Sequence, residues 1–277
     1  MRGNPLWPHL ATIVKIVDET PDVKTFRVVL DDPGARENFR HRPGQVALLS
    51  VFGQGEATIS ISSSPARRDY LEFSVRRVGR LTGVLHQFEE GYKIGVRGPY
   101  GNGFPLEELR GRDLLFVGGG IGLAPLRSLI NYVLDHRDDF GSVEIIYGAR
   151  SMADLCFKEE LFKVWPKAPG VRVYTTIDRP EYGWDGHVGF VPAYLAELAP
   201  TGVGKYALIC GPPIMIRLAL QELARLGFSP ERIVTTLELK MKCGIGKCGR
   251  CNIGSTMVCT EGPVFSLARL QALPPEY

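Results

Sequence analysis

The sequence predicts a multidomain β plus α/β protein: an N-terminal antiparallel β-barrel, a doubly wound parallel sheet, and a small C-terminal cysteine-rich unit. Three observations predict it. Residues 1–108 are a series of short apolar runs broken by Gly and Pro, the texture of a barrel or sandwich. Residues 109–234 alternate strand-like and helix-like patterns, which builds a parallel sheet with helices on both faces. Residues 235–277 are rich in Cys and Gly and too short for an apolar core of their own. A length of 277 residues fits two domains plus an appendage.

The elements follow in order. ATIVKIVDETPDVKTFRVVL (11–30) is two β-branched runs around Pro21 and Asp22, a pair of antiparallel strands. Further strands are expected at 46–52, 57–62, 70–78 and 93–99, with one helix at 82–89. DLLFVGGGIG (113–122) is a buried strand running into glycines, and LAPLRSLINYVLDHR has helical periodicity. VEIIYGAR (143–150) is a strand, and DLCFKEELFKVW (154–165) reads as a helix that buries Cys156 as a structural thiol. VRVYTTI, a helix near 192–198, KYALICGP and IMIRLALQELARLG complete the alternation.

Composition excludes several classes. With 44% hydrophobic and 23% charged residues the chain is neither disordered nor fibrous. A net charge of +3 gives no support to nucleic-acid binding. No apolar run reaches the ~18 residues of a membrane span, and the start lacks the apolar core of a secretory signal. A cytoplasmic location without a membrane span is expected.

The cysteines carry the sharpest signal. The spacing is Cys243-x4-Cys248-x2-Cys251-x7-Cys259, whereas Cys156 and Cys210 are isolated. Plant-type [2Fe-2S] loops use C-x4-C-x2-C with a more distant fourth ligand. Gly244, Gly246, Gly249 and Gly254 permit a tight wrap in which backbone N–H groups reach sulfur. Lys240, Lys242, Lys247 and Arg250 surround the loop, either as a docking face or as a solvated surface. Structural zinc is the alternative, but zinc ribbons favour two short C-x2-C pairs and only one is present.

Two glycine loops sit where α/β sheets bind ligands. GGGIGLAPLR (118–127) joins a strand to a helix, the place where N–H groups hold a pyrophosphate. Leu123 replaces the third glycine of G-x-G-x-x-G, and the second strand ends in Tyr147-Gly148-Ala149-Arg150 without an acidic residue. A packing turn therefore stays open as a reading. Cys210-Gly211-Pro212-Pro213 with Met215 ends a later strand at the same sheet edge.

VGGGIGLAPLR, YGAR, CGPPIM and RGPYGNGF, taken in order, resemble the ferredoxin–NADP reductase superfamily. With the cysteine spacing, nearly the whole chain is similar to the flavin subunits of cytoplasmic NiFe hydrogenases (the sulfhydrogenase gamma family). Sulfite reductase B and dihydroorotate dehydrogenase electron-transfer subunits are relatives of that family. The resemblance implies an FAD-binding barrel at 1–108, an NAD(P)-binding domain at 109–234 and a [2Fe-2S] domain at 235–277. The cluster ligands would be Cys243, Cys248, Cys251 and Cys259. The flavin motif Arg-x-Tyr-Ser-x-x-Ser is represented by Ala57-Thr58-Ile59-Ser60-Ile61-Ser62-Ser63, without the arginine and tyrosine.

By that match Ser60 hydrogen-bonds near flavin N5, flanked by Ile59, Ile61 and Val75. Arg76 and the turn Gly79, Leu81, Thr82 are the candidates for the phosphate contacts; an exposed strand edge is the alternative for Arg76. The nicotinamide nucleotide would lie on Gly118, Gly119, Gly120, Ile121, Gly122, Ala124 and Pro125. Gly148, Ala149, Arg150, Asp178, Cys210, Gly211, Pro212 and Met215 complete that set. Ser60 and Cys210 are the expected catalytic pair. Tyr277, beyond the cluster loop, is expected to be a frayed end.

The implied function is electron transfer between NAD(H) or NADP(H), FAD and a [2Fe-2S] cluster, to or from a partner redox enzyme in a hetero-oligomeric complex. A NiFe hydrogenase is the preferred partner. In dihydroorotate dehydrogenase subunits, the main alternative, the gap before the fourth cysteine is usually longer than seven residues. A bifurcating or sulfite reductase-like complex and a zinc-bearing interaction module are the others. Asp178 stands where plant-type reductases place a phosphate-binding serine, which favours NADH over NADPH. Arg150 and Arg179 pull the other way, and Asp178 also suits a turn before Pro180.

Overall fold

The computed structural model describes residue 4 and residues 6–274; Tyr277 lies outside the described residues. The first unit is a six-stranded antiparallel sheet of β1 (His9–Thr20), β2 (Val23–Leu30), β3 (Val46–Val51), β4 (Gly55–Ser60), β5 (Leu71–Arg76) and β6 (Lys93–Tyr100). Helices α1 (Pro33–Asn38) and α2 (Arg80–Leu85) cap it. The order is β4-β3-β6-β1-β2-β5, and a bridge between Ile61 and Phe73 closes the two edges into a barrel. The β1–β2 turn is set by Thr20, whose hydroxyl accepts the Val23 N–H at 3.0 Å. Inward residues such as Ile13, Phe26, Leu49, Phe73 and Val96 fill the barrel.

After α3 (Leu106–Leu109) come β7 (Leu114–Gly119), α4 (Leu123–Asp135), β8 (Val143–Ala149), β9 (Val171–Ile177) and β10 (His187–Val188). Then follow α5 (Val191–Leu198), β11 (Tyr206–Cys210), α6 (Pro213–Arg225) and β12 (Ile233–Thr236). The strands are parallel in the order β10-β9-β8-β7-β11-β12. Their runs are apolar on both faces because α4 covers one side and α5 with α6 the other. The chain turns from β8 on one side of β7 to β11 on the other. That is the switch point where such sheets bind ligands.

The tail holds β13 (Asn252–Ile253), β14 (Thr256–Met257), α7 (Val258–Glu261), β15 (Val264–Ser266) and α8 (Leu267–Gln271). It is not an independent body. β15 pairs antiparallel with β12, so the expected limit at 234 falls inside a strand of a continuous sheet. Asn102 accepts the Val264 N–H at 2.9 Å and donates to the Val264 carbonyl at 2.7 Å, fastening the tail to the end of the barrel.

One local expectation is corrected. Residues 154–165 do not form a regular α-helix: a π-helical turn spans Glu160–Val164, and Phe157 has φ +55°. The N–H groups a helix would use go elsewhere. Cys156 donates to the Tyr147 hydroxyl at 3.1 Å and Phe157 to Glu19 of the barrel at 2.8 Å. Cys156 itself is buried as expected, and burial pushes its thiol up to about 12.

Candidate functional site

A cleft of about 700 Å³ opens at the carboxyl ends of β7, β8 and β11 and is roofed by the barrel. That volume is within the usual range of small-molecule sites. Its floor is Gly119, Gly120, Ile121 and Gly122, its sides Gly148, Ala149, Arg150 and Asp178, and its far wall Gly211, Pro212 and Met215. Arg76, Asp22 and Val23 reach in from the barrel. The predicted nucleotide set is thus largely brought together. Gly122 is required by close approach: a Cβ there would lie 2.6 Å from both the Cys210 carbonyl and Gly211 Cα. The floor is therefore bare backbone, leading into the first turn of α4, where free N–H groups and the helix dipole receive a phosphate.

Other predicted residues stand behind this surface. Ala124 and Pro125 are buried in the first turn of α4. Cys210 is 2% exposed, under Gly211, and its sulfur accepts the Thr236 hydroxyl at 3.0 Å. Burial pushes that thiol up to about 12, so it is uncharged at neutral pH. Arg150 pairs with Asp154 at 3.0 Å, and burial lifts Asp178 above its usual carboxylate value although Arg150 and Arg179 oppose the shift.

On the barrel side, Ile61 and Val75 point into the core with no exposed surface. Ile59 and Leu81 are half-buried against the same core. Ser60 is half-buried at the end of β4, and among the described residues its hydroxyl has no hydrogen-bond partner. The Thr82 hydroxyl accepts the Val78 and Gly79 N–H groups at 3.1 and 3.0 Å and so is spent on capping α2. Arg76 is exposed and lines the cleft. The edge thus offers an unpaired hydroxyl and a guanidinium, a donor set that fits a flavin phosphate and ring.

The cysteine loop lies against β3, β4 and β6. Arg97 donates to the Lys242 and Cys243 carbonyls at 2.9 and 3.0 Å while its other edge pairs with Glu56. The sulfurs are dressed by backbone donors. Ile245 and Lys247 N–H approach Cys243 at 3.5 and 3.4 Å, Gly246 approaches Cys259 at 3.2 Å, and Cys259 approaches Cys251 at 3.4 Å. Burial opposes ionisation of Cys243, but these donors together with Cys248 bring it down to about 6. N–H groups aimed at sulfur stabilise thiolates and bridging sulfides, so the loop fits an iron–sulfur cluster. The four cysteines are free thiols; Cys248 is exposed while Cys251 and Cys259 are buried. Among the described residues no group of three or more His, Cys, Asp or Glu is gathered for a single metal ion. A two-iron cluster divides its thiolates between two irons.

Sequence reasoning missed Arg127. Its guanidinium is buried where the domains meet and pairs with Glu72 of β5 at 2.7 Å. It also donates to Glu160 at 2.7 Å and to the Ser62 carbonyl at 3.2 Å. Its neighbour Ser128 donates to the Ser63 carbonyl at 2.6 Å. The APLR run holds this arginine, but no local pattern marks an inter-domain partner. Asp154, Glu238 and Phe190 at the cleft were also unmarked, since each comes from a loop or a strand end.

Two family models match the chain: an oxidoreductase NAD-binding domain over residues 116–221 and the iron–sulfur cluster binding domain of dihydroorotate dehydrogenase B over residues 238–271. The chain is 38% identical over 277 residues to sulfhydrogenase 1 subunit gamma of Pyrococcus furiosus, covering 98% of this chain and 94% of the relative. It is 37% identical over 266 residues to a probable dihydroorotate dehydrogenase B (NAD(+)) electron transfer subunit of Methanothermobacter thermautotrophicus, covering 93% and 88%. Among solved structures, an NADH-dependent reduced ferredoxin–NADP oxidoreductase shares the fold with a TM-score of 0.76 at 24% identity. That match covers 100% of this chain and 92% of the other. The Amycolatopsis cytochrome P450 reductase GcoB matches with a TM-score of 0.69 at 27% identity, over 81% of this chain and 68% of that one.

Proposed function

Because the chain belongs to the family of sulfhydrogenase gamma and dihydroorotate dehydrogenase electron-transfer subunits, in the ferredoxin–NADP reductase superfamily, we propose that it is the diaphorase subunit of a hetero-oligomeric redox complex. It exchanges electrons with NADH at the cleft and with a partner enzyme at the cysteine loop. When bound, the nicotinamide and FAD supply hydride chemistry and the [2Fe-2S] cluster supplies single-electron transfer.

The residues have distinct tasks in this reading. Gly119–Gly122 and the start of α4 hold the pyrophosphate. Ser60 offers its free hydroxyl to the flavin ring, and Arg76 offers its charge to a flavin phosphate. Cys210 backs the nicotinamide subsite as a neutral thiol, so no buried anion stands behind the ring. Cys243, Cys248, Cys251 and Cys259 ligate the cluster. One observation carries the proposal: the bare-backbone cleft and the N–H-dressed cysteine loop are both fastened to the same barrel, by Arg127 and by Arg97.

NADH is favoured over NADPH. The cleft is lined by Asp22, Asp154, Asp178 and Glu238 against Arg76 and Arg150 alone. A 2′-phosphate would meet excess negative charge, and Arg150 is already held by Asp154. A NiFe hydrogenase is the proposed partner. Identity to both Pyrococcus furiosus sulfhydrogenase gamma subunits, 38% and 37%, and the seven-residue gap before Cys259 support it. The dihydroorotate dehydrogenase complex is the second reading, favoured by the cluster-domain match. The cytoplasm is the proposed compartment, because thiol ligands stay reduced there. Among the described residues no helix is long and apolar enough to cross a membrane. Anaerobic co-purification of the native complex tests the partner: hydrogenase subunits are expected, and dihydroorotate dehydrogenase in their place contradicts the choice. kcat/KM for both nucleotides with an acceptor dye tests the cofactor: a preference above about tenfold for NADPH contradicts it.

A further inference from the structure

A second pocket, of about 270 Å³, lies on the seam between the barrel and the nucleotide domain. Its wall holds Arg40 and Arg42 from the segment before β3 and Arg67 and Arg68 from the segment before β5. Tyr132 and His136 at the end of α4 close it from the other domain. No Asp or Glu lines it. Arg67 is neutralised by Asp135 at 3.0 Å, but among the described residues Arg40, Arg42 and Arg68 have no carboxylate partner.

The pocket is separate from the nucleotide cleft. The cleft uses Gly122 at the start of α4, whereas this pocket uses residues at its other end. Thirteen residues of helix place the two about 20 Å apart. The pocket also sits over the clip that joins the domains: His41 in its wall and Ser128 both reach the Ser63 carbonyl, at 3.2 and 2.6 Å.

We propose that this seam pocket is a binding site for a small phosphate-bearing anion. Guanidinium groups match phosphate oxygens in paired, charge-assisted hydrogen bonds, and three such groups stand here without a counter-charge. The Tyr132 and Phe39 rings supply an apolar wall that bare solvent does not need. The small volume admits a phosphate or pyrophosphate group with little attached, and the seam position makes the occupied site a brace between the domains.

The test uses the cofactor-loaded protein in excess NAD+, which keeps the cleft filled, and inorganic pyrophosphate as the probe. Calorimetric titration at constant ionic strength is expected to show one site. Binding should weaken about tenfold or more in the double variant Arg40→Ala/Arg68→Ala, with Kd for NADH unchanged. The melting temperature of the native protein should rise with pyrophosphate and fail to rise in the variant. The proposal is overturned if pyrophosphate gives no heat or if the variant binds it equally. A glutamate-rich peptide that binds while pyrophosphate does not also overturns it, in favour of an acidic protein partner.

Discussion

At Cys210 the thiol is sealed beneath Gly211 and accepts the Thr236 hydroxyl. Replacing it with alanine leaves that hydroxyl without its acceptor, beside Thr235, whose own hydroxyl is already buried unpaired. Cys210→Ala should cost about 1 kcal/mol of stability. It should also slow flavin reduction by NADH while leaving the cluster spectrum intact. Stopped-flow absorbance reads both, and loss of iron from this variant would contradict the assignment. Arg127 sets a larger effect. Burial alone would raise Glu72, but Arg127 and Arg27 bring its carboxyl below the ordinary 4.5. A depressed carboxyl stabilises the fold at neutral pH, and that contribution disappears as pH falls below 4.5 through the folded-state value. Arg127→Met leaves Glu72 with Arg27 as its sole ion-pair partner and the half-buried Glu160 with none, and should cost about 3 kcal/mol. Thermal melts from neutral pH into this acid range should show it: the variant starts lower and loses less on acidification than the parent. Equal slopes would contradict the pairing. The clustered cysteines and the glycines that line the cleft were visible in the sequence. Arg127 was not, because its partners lie 55 and 33 residues away in sequence.

Single elements show where periodicity ends. The barrel strands and the alternating units were legible from apolar runs broken by Gly and Pro, which mark strands even where both faces are buried. DLCFKEELFKVW has helical spacing as well, yet its Cys156 and Phe157 N–H groups donate to the Tyr147 hydroxyl and the Glu19 carboxylate, and Phe157 sits at positive φ. β15 was illegible for a different reason: three residues have no period, and they become a strand only by pairing with β12. The cluster loop is an element defined by turns. Gly244 has φ +77°, and a Cβ there would lie 2.7 Å from the Tyr100 ring. Gly244→Ala must therefore displace the loop or the ring. Iron content per chain should fall well below that of the parent while NADH still reduces the flavin. Full iron loading in this variant would contradict the loop geometry.

At the scale of the whole molecule the cleft, the barrel and the cysteine loop are tied by side chains as well as by the β12–β15 pairing. Arg97 carries two cluster-loop carbonyls on a strand of the barrel, and Asn102 holds β15. Arg97→Met should leave the nucleotide cleft working with a dye acceptor but slow electron arrival at the cluster, measured as the rate of cluster bleaching after NADH mixing. An unchanged rate would mean that the loop is held by other contacts. The succession of an antiparallel barrel and a parallel sheet was readable from the change of pattern. The mutual placement of the parts was not, because it depends on these few ties and on no repeat.

In the proposed function, reducing equivalents entering at the glycine cleft reach a cluster on Cys243, Cys248, Cys251 and Cys259. The most direct measurement is an anaerobic addition of NADH to the purified protein, followed by visible absorption and low-temperature EPR, with iron and sulfide assayed on the same sample. About two irons and two sulfides per chain are expected, with bleaching of the flavin band and the signal of a reduced [2Fe-2S] cluster. A colourless protein with stoichiometric zinc and no sulfide, or a cluster that NADH leaves oxidised while the flavin bleaches fully, would contradict it.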